Sequence, residues 1–267
     1  MILQEICMNF DDLLVETEGR IFTVKLNRPD VLNAMREKTF HKLDEVLGVF
    51  ANDPGYGVMI ITGVGERAFS AGGDVRVLET LTSKEALSFA QLTHRVLDKI
   101  EYIDKPVIAA VNGFAFGAGC DLVVACDLVV ASEKAVFGEP SAGLGITTPF
   151  GGTQRLPRII GPKRAKQLFF TGDSIDAETA YRFGLVNKVV KHDELLTETR
   201  NLAEKILSKA PIAVRYLKRL VNLSMTSSLR DGDEAEMDLY SRCFDTEDKN
   251  VGMRAFVEKR KPVFKGR

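Results

Sequence analysis

Apolar and polar positions switch between strand-like and helix-like spacing several times along the first half of the chain. Residues 12–16 and 21–26 are short apolar-rich runs joined by Glu18-Gly19-Arg20, a hairpin pattern, and Asn27-Arg28-Pro29 ends the second run. From residue 36 to 50 the apolar positions Phe40, Leu43, Val46, Leu47 and Phe50 recur at helical spacing. A continuous apolar run at 57–62 (GVMIIT) then predicts a buried strand, so that strand, helix and strand form a right-handed crossover. The alternation continues with a long helix over 83–103 (Leu87, Phe89, Leu92, Val96, Leu97, Ile100), stopped by Lys105-Pro106 ahead of a second buried strand at 106–111 (PVIAAV).

The hexapeptide CDLVVA occurs twice in succession, at 120–125 and 126–131. Two copies of six residues are too little for a repeat architecture. The first copy follows Gly117-Ala118-Gly119 and is expected to be helical. The second leads into Ser132-Glu133-Lys134-Ala135 and is expected to be a strand, with context overriding identical propensity. Beyond Gly151 the pattern is nearly all helical, at 163–170, 177–183, 193–209, 212–223, 233–244 and 250–259, with Pro162, Gly172, Gly184 and Pro211 as stops. Such helices are expected to pack on the main domain and on another subunit. The expected division is 1–198 for an α/β core and 199–267 for a C-terminal helical region.

Composition narrows the function classes. With 267 residues, 45% hydrophobic, 27% charged and a formal net charge of −1, the chain has an ordinary globular balance that does not ask for nucleic acid or a membrane surface. No window approaches a membrane span, and Met1 to Asp12 lacks a basic leader pattern, so a cytoplasmic protein is expected. Cys7, Cys120, Cys126 and Cys243 are scattered, and His41, His94 and His192 are far apart in sequence, which argues against a disulfide framework and against metal binding.

Two glycine-rich turns carry the candidate chemistry. Ala68-Phe69-Ser70-Ala71-Gly72-Gly73-Asp74 follows the strand at 57–62, and Gly117-Ala118-Gly119-Cys120-Asp121 follows the strand at 106–111. Bare backbone at such turns can approach a ligand closely. Two preorganised N–H groups would stabilise a carbonyl oxygen that takes on negative charge, each by about 3–4 kcal/mol, and a helix start favours an anion as well. The alternative is that the glycines only make turns. Asp121, in an otherwise apolar helical stretch, reads either as a buried base with a raised pKa or as an acid set against the helix dipole.

The ordered set Leu26-Asn27-Arg28-Pro29 with Asn33-Ala34-Met35, Ala68 to Asp74, Lys105 to Gly113, Cys126-Asp127, Gly152-Thr153-Gln154-Arg155-Leu156, Gly184-Leu185-Val186 and Phe256 to Lys261 resembles the crotonase (enoyl-CoA hydratase/isomerase) superfamily over essentially the whole chain. The resemblance implies a four-turn β/β/α spiral with C-terminal helices in trimer contacts, often as dimers of trimers. It also implies an acyl-CoA thioester substrate, with no cofactor beyond the coenzyme A the substrate carries. By position, Gly73 and Ala118 would supply the oxyanion N–H groups. Ala71, Asp74 and Val75 would line the adenine side, Val31 and Leu32 would flank the pantetheine and phosphate region, and Phe256 and Lys259 would approach the nucleotide of a neighbouring subunit. Lys259 reads equally as part of a solvated basic face.

The departures bear on mechanism. The family's hydratases place glutamates where this chain has Asp121 and Ser141, and a serine hydroxyl has no useful pKa near neutrality. Glu139 is a candidate substitute, since on a strand it would share the face of Ser141, while on a loop its position says nothing; the competing expectation is a solvent-exposed loop glutamate. The family's dienoyl-CoA isomerases also have an aspartate at position 121, but their further acid is absent from Thr147-Thr148-Pro149-Phe150, as is the aspartate that the hydrolase branches place near Pro149. Hydration of a 2-enoyl-CoA with Asp121 as acid/base leads. One-carboxylate double-bond isomerisation, β-keto acyl-CoA hydrolysis and a catalytically silent CoA-binding scaffold are the alternatives. Pocket depth rests on the region 78–89 and on Phe150.

Overall fold

The computed structural model describes residues 6–267, with the side chains of residues 6–9 left aside. The reading of the extreme N-terminus and the side chain of Cys7 therefore lie outside the described residues. In chain order the elements are β1 (Ile6–Phe10), β2 (Leu13–Glu18), β3 (Ile21–Leu26), α1 (Glu37–Asn52), β4 (Val58–Gly63), β5 (Ala68–Ser70), α2 (Val75–Leu78), α3 (Ser83–Tyr102), β6 (Val107–Val111), β7 (Phe114–Phe116), α4 (Ala118–Ala125), β8 (Leu128–Ser132), β9 (Val136–Gly138), α5 (Gly152–Ile160), α6 (Pro162–Thr171), β10 (Ser174–Asp176), α7 (Ala177–Arg182), β11 (Lys188–Val190), α8 (Leu195–Leu207), α9 (Pro211–Ser224), α10 (Leu229–Cys243) and α11 (Glu247–Val257).

Two sheets share these strands. The larger runs β1-β2-β3-β4-β6-β8-β11 and the smaller β10-β9-β7-β5. From β3 to β11 the large sheet is parallel, as is β5-β7-β9 in the small one. Each of β4-β5, β6-β7 and β8-β9 puts one strand in each sheet before the chain turns into helix, so a β/β/α unit recurs along the chain, preceded by β2, β3 and α1. Parallel strands covered on both faces need continuous apolar runs, and β4 and β6 are buried at every position.

The predicted helices bury the faces their spacing marks out. α1 buries Phe40, Leu43, Val46, Leu47 and Phe50, and α3 buries Phe89, Leu92, Val96, Leu97 and Ile100 behind a Thr82/Glu85 capping box. α8 covers the opposite side of the large sheet: its Leu195 and Ala203 pack with Ile21, Val58, Ile60, Ile108 and Val130. The expected division at 198/199 falls inside this helix. α9 and α10 bury no residue in the single chain and leave Leu217, Val221, Met237 and Tyr240 more than half exposed. Several elements were not anticipated from the pattern: the strand β1, the short strands β5 and β7, the short helix α2, the helix α5, which runs through Pro157, and the short strands β10 and β11, which interrupt the otherwise helical stretch beyond Gly151. Three-residue strands carry too little pattern to stand out in sequence.

The two CDLVVA copies differ as expected. The first lies within α4, which is buried at every position. In the second, the Asp127 N–H donates to Val107 O (2.9 Å), the Val107 N–H donates to Asp127 Oδ2 (2.7 Å), and Leu128 pairs with Ile108. That clamp docks the copy on β6 as a strand. Lys218 of α9 donates to the same carboxylate (2.8 Å) and to Ile100 O and Lys105 O, tying the terminal helices to the core.

Two buried asparagines fix the segment between β4 and the first glycine turn. Asn33 Nδ2 donates to Val64 O (3.0 Å) and Ala68 O (2.9 Å), while Asn112 Nδ2 donates to Gly65 O (2.7 Å), Gly63 O (3.2 Å) and Ala68 O (3.2 Å). Buried carbonyls stripped of such donors cost about 1–3 kcal/mol. Asn112→Ala is therefore expected to lower Tm by several degrees in a thermal melt, whereas an unchanged Tm would show that the carbonyls find other donors.

Candidate active site

The first turn leaves a single N–H without a partner. After β5, the Ser70 hydroxyl donates to Asn33 O (2.9 Å) and accepts from Gly72 N (3.2 Å). Ala71 N donates to Leu32 O, Met35 N donates to Gly72 O, and Asp74 N donates to Met35 O. The amides of Ala71, Gly72 and Asp74 are thus used, and among the described residues that of Gly73 has no partner. Gly72 holds φ +107, a conformation open to glycine, and a Cβ there would stand 2.8 Å from Phe116 O and 3.5 Å from Ala118 N. The two glycine turns therefore abut.

The second turn offers the other amide. Gly117, at φ +48, ends β7 and starts α4; its N–H donates to Gly138 O, and its carbonyl accepts from Asp121 N. The Ala118 N–H, on the first helical residue, has no intrahelical acceptor and among the described residues no other. Gly119 lies so close to Ser70 O that only glycine fits.

Gly73 and Ala118 line one cavity of about 470 Å³ together with Ala71, Val75, Ser141 and Phe150. Leu32 is tied to this turn by the bond from Ala71 N to Leu32 O (2.9 Å), and neither Val31 nor Leu32 lines the cavity. Asp74 is held by Arg28 Nη1 at 3.0 Å, and Arg28 also donates to Ala34 O. Phe256 and Lys259 are exposed and do not line the cavity of their own chain.

The carboxyls sit behind the lining. Asp121 and Glu139 are both fully buried. The expectation of a solvent-exposed Glu139 is thus overturned: the strand alternation runs one step past β9, so Glu139 points inward on the side of Phe137. It does not share a face with Ser141 either, because the chain enters a 3-10 turn at Pro140–Leu144 and leaves Ser141 facing the cavity. Asp121 Oδ2 accepts the Thr148 hydroxyl, and Oδ1 lies against Gly152, where a Cβ would overlap it. Asp121 Oδ1 and both Glu139 oxygens have no hydrogen-bond partner.

Thr148 and the asparagines carry roles that sequence reasoning missed. The asparagines were visible inside the quoted motifs; Thr148, in an irregular loop, had no local signal. Its segment is anchored by buried Thr93, which donates to Pro149 O (3.2 Å), and by Arg155, which donates to Phe150 O (3.4 Å) and pairs with Asp98 and Glu101 of α3.

Burial drives the acidity of this pair. It pushes Asp121 up to about 7 against the lowering effect of the Thr148 hydroxyl. Glu139 is raised well above the usual carboxylate range, first by burial and then by the neighbouring Asp121 charge. Two such carboxyls offer a base and an acid side by side near neutrality. Both bind protons more tightly when folded than when unfolded, so the stability this confers is present below the usual carboxylate range; the share of Asp121 is lost as pH rises through about 7. Asp121→Asn removes the share of Asp121: its Tm is expected to exceed the parent's at about pH 8 and to converge with it towards about pH 4. A gap independent of pH would contradict the raised acidity constant.

With this geometry in place, the comparisons with known proteins are specific. A model of the enoyl-CoA hydratase/isomerase family matches residues 16–267. A crotonyl-CoA hydratase of Syntrophomonas wolfei is 44% identical over 257 residues, covering 96% of this chain and 99% of that protein. A short-chain-enoyl-CoA hydratase of Clostridium acetobutylicum is 43% identical over 254 residues, covering 95% and 97%. The crystal structure of enoyl-CoA hydratase from Bacillus anthracis superposes with a TM-score of 0.93 at 35% identity, covering 96% of this chain and all of that one. The chain, with its β/β/α spiral, belongs to the enoyl-CoA hydratase/isomerase family.

Proposed function

We propose that the protein hydrates a short 2-enoyl-CoA. The observation that carries this reading is the pair of unpartnered N–H groups, Gly73 and Ala118, on one cavity wall. They would bind the thioester oxygen and stabilise the charge that develops there as water attacks C3. Asp121 would take the proton of the attacking water, and Glu139, whose burial favours its protonated form, would supply the proton added at C2; passing the proton from Asp121 to the neighbouring Glu139 then restores both acids. The sum is addition of one water with no net oxidation or reduction, so the chemistry requires no redox cofactor.

The presence of a second carboxyl beside Asp121 favours hydration over one-carboxylate isomerisation. The acid role left vacant at Ser141 passes to Glu139, and Ser141 itself would contact substrate or water from the cavity side. Val31, Leu32, Ala71, Asp74 and Val75 would carry the coenzyme A arm at the cavity mouth, where Val75 is 51% exposed. Phe256 and Lys259 would reach the nucleotide of a neighbouring subunit in a homotrimer or dimer of trimers. The unburied apolar faces of α9 and α10 support that assembly, with 1–198 as the spiral core and 199–267 as the helical region.

Mass spectrometry of crotonyl-CoA incubated with the enzyme is expected to show gain of one water, with kcat/KM rising through about pH 7 as Asp121 ionises. Asp121→Asn is expected to lower kcat by about 10²–10⁴-fold with little change in KM. An isobaric product from 3-enoyl-CoA, with no hydration, would make the enzyme an isomerase; coenzyme A binding without turnover would make it a scaffold. Light scattering is expected to give a mass of three or six copies, and a monomer would overturn the assembly.

A further inference from the structure

Between the 3-10 turn at Pro140–Leu144 and α5 the chain runs through a short irregular stretch whose neighbouring residues face different ways. Thr147, Pro149 and Phe150 line the cavity, and Thr148 between them does not. Thr148 is buried, and its hydroxyl donates to Asp121 Oδ2. The stretch is firmly supported. Buried Thr93 donates to Pro149 O and Arg155 to Phe150 O, while Arg155 is itself fixed by Asp98 and Glu101 of α3. The Phe150 ring is packed between Phe40, stacked at 5.5 Å, and Phe89, edge-on at 5.8 Å. The hydroxyl thus reaches the carboxyl from a support that has no room to swing away.

Asp121 has little else to hold it. Among the described residues its Oδ1 has no partner, and Gly152 stands so close to that oxygen that a Cβ there would overlap it. The titratable and charged groups around it are Glu139 beyond β9, the Cys120 thiol of α4 itself and Arg155 of α5, whose guanidinium Asp98 and Glu101 already engage. His94 of α3 stands at Gly151 beside that guanidinium. A hydroxyl aimed at a carboxylate favours the charged form, and after burial the Thr148 hydroxyl is the largest influence on Asp121. A general base must be ionised to act, and burial alone works against that.

We propose that Thr148 is a positioning residue for the hydration: it does not touch substrate, and by holding Asp121 through Oδ2 it leaves Oδ1 as the oxygen that takes the proton. This rests on the hydratase reading above, and the test separates the two. The pH dependence of kcat/KM for crotonyl-CoA is measured for the parent, for Thr148→Val, which keeps the shape and removes the donor, and for Thr148→Ser, which keeps the donor. Thr148→Ala repeats the removal with a smaller side chain. In parallel, infrared spectra of the same proteins without substrate are recorded over the same pH range, with Asp121→Asn identifying the Asp121 carboxyl band. Ionisation is then read with no turnover at all.

Loss of a hydrogen bond to a charged acceptor is expected to move the midpoint upward by about one pH unit in Thr148→Val and Thr148→Ala, in both readouts. On the acid side kcat/KM then falls about tenfold and recovers as pH rises, with KM within about twofold of the parent. Thr148→Ser is expected to keep its midpoint within about 0.3 unit of the parent. A midpoint unmoved by removal of the hydroxyl, or moved as far in Thr148→Ser, overturns the proposal. So does a loss of activity by one factor at every pH, which a purely structural role would give. If no enoyl-CoA is hydrated but the infrared midpoint moves only where the hydroxyl is lost, the hydratase reading falls and Thr148 remains the residue that positions Asp121.

Discussion

The carbonyl of Ala68 is where the site is decided. Two side-chain amides from distant parts of the chain, Asn33 and Asn112, converge on it and on the carbonyls of residues 63–65. Water would satisfy such groups on a surface loop; Gly63 and Ala68 are buried, so their carbonyls must be satisfied by protein. Because the loop is pinned from both sides, Ser70 and Met35 can use up the neighbouring polar groups, and the amide of Gly73 is left over at a fixed place. A rigid orphan donor needs no reorganisation when charge develops in front of it, and this is where most of its electrostatic benefit arises.

The carboxyl pair follows a different logic. Asp121 is carried by a helix buried on all sides, so its charge has no water to fall back on. Arg155 is the nearest cation with a part in lowering its pKa, but that guanidinium is already engaged with Asp98 and Glu101. The Thr148 hydroxyl is the strongest hydrogen bond favouring the charged form of Asp121, whereas Glu139 has only the weak thiol donor of Cys120 beside it. With both acids fully buried, the difference between them stems from the hydrogen bonds that favour the charged form of Asp121, the Thr148 hydroxyl first, and from the Asp121 charge that raises Glu139 further.

Long elements and the two turns were legible because their signals are local. Buried strands such as β4 and β6 are unbroken apolar runs, α1 and α3 have clear helical spacing, and both glycine turns sit directly after strands. Glu139 was misjudged as exposed because its orientation depends on whether β9 ends at Gly138 or one residue later in effect, a question of tertiary pairing with β7 and β10. Thr148 was out of reach for the same reason; Phe150 and the region of Phe89 were marked out as pocket positions, but Phe40, Phe89 and Phe150 come from three separate segments, and nothing in their spacing shows that their rings meet.

The duplicated hexapeptide has a consequence for how the protein folds. Since both copies have the same intrinsic preferences, local sequence cannot decide which becomes helix, and the choice falls to what each copy pairs with. The reciprocal bonds between Asp127 and Val107 act as a register key for the second copy, and Lys218 locks it from a helix synthesised much later. Such contacts close only over long sequence separations, which places them late in folding. The strand that directly follows the helix carrying Ala118 and Asp121 is thus fixed from two sides, by β6 and by the last third of the chain.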